Sequence, residues 1–204
     1  MRLFIAVNFN EEIKSRLVQI RDRIGAQTLR GNFSRPENLH LTLVFLGETP
    51  ADEVPAICSI MADAQRTLSL REFTLDFTHT GCFKRRNREL WWIAAEKTDP
   101  ALGVLAELRR RLTGGLLAAG IAFDNRPFNA HITLGREIKH SSPIVLPGEK
   151  ITAPINRICL MKSEHTGGVL VYTAIFAVDL QREETSVLGD YNTQSAANCL
   201  AKAC

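Results

Sequence analysis

Two short stretches carry the side chains with catalytic potential: His40-Leu41-Thr42-Leu43 and His131-Ile132-Thr133-Leu134, followed by Gly47 and Gly135 respectively. Side chains alternate faces along a β-strand, so His40 and Thr42 project together, about 7 Å apart, while Leu41 and Leu43 point the other way. His131 and Thr133 repeat the arrangement. A single His-x-Thr on a strand reads as an ordinary structural histidine, but two copies in a chain of five histidines, each within an apolar strand, point to a paired site. Facing each other across a groove, two imidazoles that titrate near neutrality can act as general acid and general base on opposite sides of a reacting centre. Two hydroxyls can donate hydrogen bonds to nonbridging oxygens and hold developing negative charge. In-line displacement at phosphorus asks for this layout, because the attacking and leaving oxygens lie on opposite sides of the phosphorus. No carboxylate cluster stands ready to hold a metal, and neither a metal nor another cofactor is expected.

The surrounding sequence supplies the elements that must position these groups. Residues 3–7 read as a buried strand, and Asn10 followed by Glu11 and Glu12 as the capped start of a helix with Ile13, Leu17, Ile20 and Ile24 on one face, ending at Gly25. The first motif lies in a strand at 39–46, and Thr49-Pro50 reads as a cap and first-turn proline of a second helix ending near Arg66. Strands at 73–80 and 90–95 flank the polar turn Lys84-Arg85-Arg86-Asn87-Arg88. Asp99-Pro100 opens a third helix that Gly114-Gly115 is expected to weaken or end. The second motif lies in a strand at 130–134, and strands at 155–162 and 169–180 form a hairpin about Gly167-Gly168. This order predicts an α+β fold with sheets covered by helices, and no Pro/Ser-rich linker divides the chain.

Composition narrows the function classes. The chain has 204 residues, 45% hydrophobic and 23% charged, with a net charge of +3. That is too weakly basic for a nonspecific duplex binder, so any nucleic-acid contact must come from local patches. No apolar run approaches the roughly 18–20 residues of a membrane helix, and the N-terminal stretch turns polar too early for a signal peptide. Five scattered cysteines (Cys58, Cys82, Cys159, Cys199, Cys204) form no CxxC pair and read as reduced thiols, so a cytoplasmic location is expected. The GxGxxG, GxxxxGK[ST] and GxSxG motifs are absent.

The paired motifs, as His40-Leu41-Thr42-Leu43-Val44-Phe45-Leu46-Gly47 and His131-Ile132-Thr133-Leu134-Gly135-Arg136, resemble the HXTX motifs of the 2H phosphoesterase superfamily. Its bacterial RNA 2′,3′-cyclic phosphodiesterase branch, historically called 2′-5′ RNA ligase, is the most similar. The resemblance runs from Arg2-Leu3-Phe4-Ile5-Ala6 through Gly81-Cys82-Phe83 and Leu90-Trp91-Trp92 to the final hairpin, with no departure at the four polar positions. It implies a bilobal fold, two pseudo-symmetric lobes of antiparallel sheet with outer helices around a central cleft. One such domain would span residues 1–182, and 183–204 would be a tail, disordered or forming a short helix. It also implies metal-free hydrolysis of a terminal 2′,3′-cyclic phosphate to a 2′-phosphomonoester, with RNA bearing that end or a 2′-5′ linkage as partner, no membrane association and no obligate protein partner, the chain acting as a monomer. By position, His40 would be the proton donor, His131 the proton acceptor, and Thr42 and Thr133 the phosphate ligands; the sequence itself does not say which histidine starts protonated. Reversible, ATP-independent 2′-5′ ligation, cleavage of 2′-5′-linked oligonucleotides, or a noncatalytic RNA-binding module are the alternatives.

Further candidates surround the motifs. Arg136, three residues after Thr133, could reach a phosphate, but its parity is opposite to that of His131 and Thr133, so a turn at Gly135 is required to aim it inward. Arg35, before Pro36, could contact RNA phosphate. The basic run 84–88 beside Phe83 suits single-stranded RNA or, equally, a solvated hairpin tip. Phe83 and Phe45 read as core residues, and at least one of Trp91 and Trp92 must face the core. His79, His140 and His165 lack the motif's setting and read as surface or structural residues.

Overall fold

The computed structural model describes residues 1–85, 88–146, 148–180 and a short strand at 185–186. The rest of the expected tail, including Cys199 and Cys204, and Arg86 and Asn87 of the basic run lie outside the described residues.

The apolar strand β1 (Arg2–Asn8) leads into α1 (Glu11–Gly25), where the Asn10 side chain accepts the Ile13 N–H at 2.9 Å and caps the helix as the sequence predicts. A strand that the sequence does not predict, β2 (Arg30–Phe33), precedes the first motif strand, β3 (His40–Glu48). The next helix, α2 (Val54–Leu68), begins later than Thr49-Pro50 predicts, because a 3-10 turn at Ala51–Glu53 intervenes. Thr49 is buried instead, its hydroxyl donating to the Gly47 carbonyl at 3.2 Å. β4 (Phe73–Arg85) and β5 (Arg88–Ala95) run further toward each other than expected.

The third helix, α3 (Ala101–Ala118), also departs from expectation, passing through Gly114-Gly115 without a break. Leu105, Leu108, Leu112 and Leu116 keep one buried stripe along its whole length. Gly115 is there for close approach: a Cβ at this position would lie 2.7 Å from Cγ2 of Ile60 on α2. The second motif strand β6 (His131–Lys139), then β7 (Ile151–Ile155), β8 (Arg157–Thr166), β9 (Val169–Asp179) and β10 (Thr185–Ser186) complete the described elements. β8 and β9 form the predicted hairpin, with Gly167 (φ 59°) and Gly168 (φ 80°) taking the left-handed conformations of a two-residue turn.

The described strands build one curled antiparallel sheet in the order β10-β9-β8-β1-β3-β6-β5-β4-β7, and β2 lies on the edge of β6. Its two halves meet at a narrow waist, where β3 and β6 pair at Leu41 and Ile132. Both residues are fully buried in the core beneath the sheet. No described helix is long and apolar enough to cross a membrane.

The two glycines of α3 give a direct test of this packing. Nothing lies within 4 Å of a Cβ built on Gly114, so Gly114→Ala is expected to raise stability by about 0.5–1 kcal/mol. Gly115→Val is expected to cost about 1–3 kcal/mol by pushing α3 off Ile60. Equilibrium urea unfolding reads both; equal effects at the two positions would contradict the close-approach role of Gly115.

Candidate active site

The waist of the sheet brings the two motifs together. With Leu41 and Ile132 paired and pointing into the core, pleating sends His40, Thr42, His131 and Thr133 to the opposite face of two neighbouring antiparallel strands. Both imidazoles are oriented by the same device. His40 Nδ1 donates to the Asn38 carbonyl at 2.7 Å, and His131 Nδ1 to the Asn129 carbonyl at 2.8 Å. A carbonyl only accepts, so Nδ1 carries the proton in both rings and Nε2 is the atom left for chemistry. His40 Nε2 accepts the Thr42 hydroxyl at 2.9 Å.

Aromatic rings hold the imidazoles from the side. His40 lies 4.8 Å from Phe4 and meets Tyr172 edge-on at 5.2 Å, and His131 meets Phe83 edge-on at 5.5 Å. Phe83 is 37% exposed, contrary to its reading as a core residue, because β4 carries it past the buried stretch to the edge of the site. Asn38 ties the β8–β9 hairpin to the first motif, its side chain donating to the Leu170 carbonyl at 2.8 Å and accepting the Tyr172 N–H at 3.2 Å. These asparagines belong to a repeat longer than four residues, Arg35-Pro36-Glu37-Asn38-Leu39-His40-Leu41-Thr42-Leu43 against Arg126-Pro127-Phe128-Asn129-Ala130-His131-Ile132-Thr133-Leu134. That longer match is the sequence signal that would have found the histidine-orienting positions.

Arg136 reaches the motif face without a turn. Trp92 pairs with Thr133 and Trp91 with Gly135, so Leu134 is an extra residue, and the bulge reverses the parity of the residues beyond it. A left-handed Glu137 (φ 56°), held by Asn32 and Arg88, comes directly after Arg136. β3 has the same irregularity: Ala6 pairs with Thr42 but Ile5 with Val44, leaving Leu43 extra. Phe45 and Arg136, each third after its threonine, therefore both turn toward the site.

A cleft of about 600 Å³ opens there, lined by His40, Thr42, Phe45, Arg136 and Tyr172, and by Arg2, Ser163 and His165 at its other end. His165 is exposed, as the sequence predicts, and so is Arg2; what the sequence does not show is that both line the rim of this cleft, because strand pairing rather than proximity in sequence brings them there. Arg35 is not part of this lining; it pairs with Glu37 at 2.6 Å on the exposed turn before β3. In the basic run, Lys84 and Arg88 are engaged by Glu89 and Glu137. His140 binds Glu89 at 2.9 Å, and His79 approaches Glu96.

Both motif histidines are held neutral in the free protein. Burial pushes His40 down from 6.5 to about 4, with the charges of Arg136 and His131 adding to it and the Asn38 carbonyl opposing. Burial and Arg136 lower His131 as well, against the Asn129 carbonyl. The unfolded chain therefore takes up protons first as pH falls below 6.5, and folding stability should drop toward pH 4, by about 3 kcal/mol for His40 alone. Urea unfolding between pH 7 and 4.5 checks this: His40→Asn should flatten the slope, and an unchanged slope would refute the assignment.

Comparison with known proteins agrees with this geometry. The family described as LigT like Phosphoesterase matches residues 7–92. The protein named RNA 2′,3′-cyclic phosphodiesterase of Thermus thermophilus is 31% identical over 201 residues, covering 96% of this chain and 95% of its own. Its Escherichia coli namesake is 30% identical over 177 residues, covering 85% and 93%. A crystal structure of a T. thermophilus protein superposes with a TM-score of 0.69 at 30% identity, covering 90% of this chain and all (100%) of that one. E. coli LigT complexed with 3′-AMP gives 0.71 at 28% identity, covering 89% and 98%. A doubled His-x-Thr site at the waist of one antiparallel sheet, with full-length relatives at this identity, makes the chain a member of the LigT-like 2H phosphoesterases.

Proposed function

We propose that this phosphoesterase hydrolyses a terminal 2′,3′-cyclic phosphate of RNA to a 2′-phosphomonoester, with His40 and His131 as the acid–base pair and no metal. The observation that carries the reading is the matched orientation of two imidazoles on adjacent strands, each with Nδ1 spent on a carbonyl, which leaves Nε2, bonded in His40 to the Thr42 hydroxyl, to exchange a proton. The names of the T. thermophilus and E. coli relatives support the substrate class.

The phosphate sits over the waist, its nonbridging oxygens taking hydrogen bonds from the Thr42 and Thr133 hydroxyls and the Arg136 guanidinium. His131 Nε2 removes a proton from a water as its oxygen bonds to phosphorus. On the far side the bond to the 3′ oxygen breaks, and His40 Nε2–H supplies the proton that oxygen needs. The Thr42 hydroxyl, which donates to His40 Nε2 in the free protein, turns to the phosphate. His40 gains its proton with the substrate: burial and Arg136 disfavour a charged imidazole in the empty cleft, and the anion offsets that cost. With a 5′-hydroxyl in place of the water, the same pair in the same roles would join that oxygen to phosphorus and release the 3′ oxygen as a hydroxyl, giving a 2′-5′ linkage.

Steady-state assays of an oligonucleotide ending in 2′,3′-cyclic phosphate test the reading. His40→Ala and His131→Ala should each lower kcat by about 10²–10⁴. RNA binding without turnover in the wild type would mean a noncatalytic module, turnover unchanged in both variants would overturn the histidine pair as the catalysts, and joined 2′-5′ product with no 2′-phosphate would mean a ligase. Activity should survive EDTA, and loss with rescue by a divalent ion would overturn the metal-free mechanism.

The pH profile reflects the lowered histidines. The bell in kcat/KM, which reports the free enzyme, should peak on the acid side of 6.5, and the bell in kcat should move to higher pH because the bound anion favours the protonated imidazole. A kcat/KM that rises or stays flat from pH 6.5 to about 9 would rule out the acid–base pair.

A further inference from the structure

We infer that the cleft contains a second anion subsite, built from Arg2, Ser163 and His165, which takes the next phosphate on the 5′ side of the reacting nucleotide; this rests on the reading of the cleft as the seat of an RNA end. The three residues come from the far end of the β3–β1–β8 surface. Arg2 pairs across β1 with Glu48 on one side and Ser163 on the other, and His165 follows Ser163 on the same face of β8. Three residues of β1, Leu3, Phe4 and Ile5, separate Arg2 from Ala6, the partner of Thr42, so the subsite lies beyond the reaction centre and not within it.

The state of the Arg2 side chain is what points to an absent anion. Its guanidinium lies over the Phe45 ring, 5.2 Å from the centroid, and among the described residues it has neither a hydrogen bond nor an ion pair. Arg35, Arg88 and Arg126 each have a carboxylate. The cation–π contact holds the guanidinium beside the ring and leaves its N–H groups without a protein partner among the described residues, available to grip a phosphate. Glu48, the carboxylate nearest in register, also lines the cleft, at its rim: its side chain is 78% exposed, it lies 3.9 Å from the N-terminal amine, and it makes no ion pair with Arg2 among the described residues.

The internal repeat points to the same subsite. After the same bulge, the second motif turns Arg136 into the cleft where the first turns Phe45. Where one half presents a guanidinium directly, the other presents a ring that carries one. A chain of net charge +3 thus gathers in one cleft two guanidinium groups without carboxylate partners among the described residues. One reacting phosphodiester needs one of them. The other serves a neighbouring phosphate, which makes an oligonucleotide end, rather than a mononucleotide, the preferred substrate.

Calorimetric titration with two non-reacting probes, a nucleoside 2′-phosphate and a trinucleotide ending in 2′-phosphate, tests this. The wild-type chain should bind the trinucleotide at least about tenfold more tightly, and Arg2→Gln should erase most of that advantage while reducing the salt slope by about one counterion. Arg2→Lys should keep part of it, and His165→Gln should lose part. A trinucleotide-to-mononucleotide ratio unchanged by Arg2→Gln, or no wild-type preference, would overturn the subsite; should Arg2→Gln fail to fold, an unchanged ratio in His165→Gln does so. Absence of cyclic-phosphate turnover would sink the proposed reaction alone, since the titration reads binding without chemistry.

Discussion

The pairing of Leu41 with Ile132 is the contact on which the site depends. It is where β3 and β6 pair, and it joins two halves whose other pairings are internal to each half. Because both side chains are buried, the register cannot slip by one residue without sending two aliphatics to the surface and two histidines into the core. Burial of the leucine and isoleucine thus decides that His40, Thr42, His131 and Thr133 share the open face. Hydrophobic packing on one side of the sheet sets the positions of the polar groups on the other.

Two of the sheet's several irregularities then adapt this frame at the site. The extra residues Leu43 and Leu134 reverse side-chain parity just past each threonine, so Phe45 and Arg136 join the face from which strict alternation would exclude them. The consequence is electrostatic. Arg136 helps hold both histidines uncharged, and rings on both sides exclude the water that would otherwise solvate an imidazolium. An empty cleft of this kind is positive and short of a proton; an anion relieves both conditions together, coupling binding to the protonation that general acid catalysis needs.

Much of this was legible in the residues. The two His-x-Thr copies, their strands, the capped α1 and the β8–β9 hairpin follow from alternation, helical spacing and turn chemistry, all properties of contiguous sequence. The errors arose where distant contacts override local preference. Gly114-Gly115 looks like a helix end, but the leucine stripe and Ile60 carry α3 through it. Phe83 looks like a core residue, but the length of β4 carries it out beside His131. Arg35 is the exception: it reads as a phosphate contact, but the carboxylate of Glu37, only two residues on, engages it.

The sequence by itself determined which groups do the chemistry and on which face of their strands they stand, because a period of two fixes the relation of His to Thr within each copy. The imidazoles are oriented within the same short segments, by the backbone carbonyl two residues before each histidine, a group that no side-chain type marks. The tertiary structure alone decided that the copies lie side by side and that a bulge supplies Arg136. It also brought Arg2, Ser163, His165 and Tyr172 to the cleft through pairings between β1, β8 and β9. Those decisions rest on contacts between residues up to 161 positions apart, such as Arg2 with Ser163, whose register is set by burial across the whole sheet and leaves no mark in any local window of sequence.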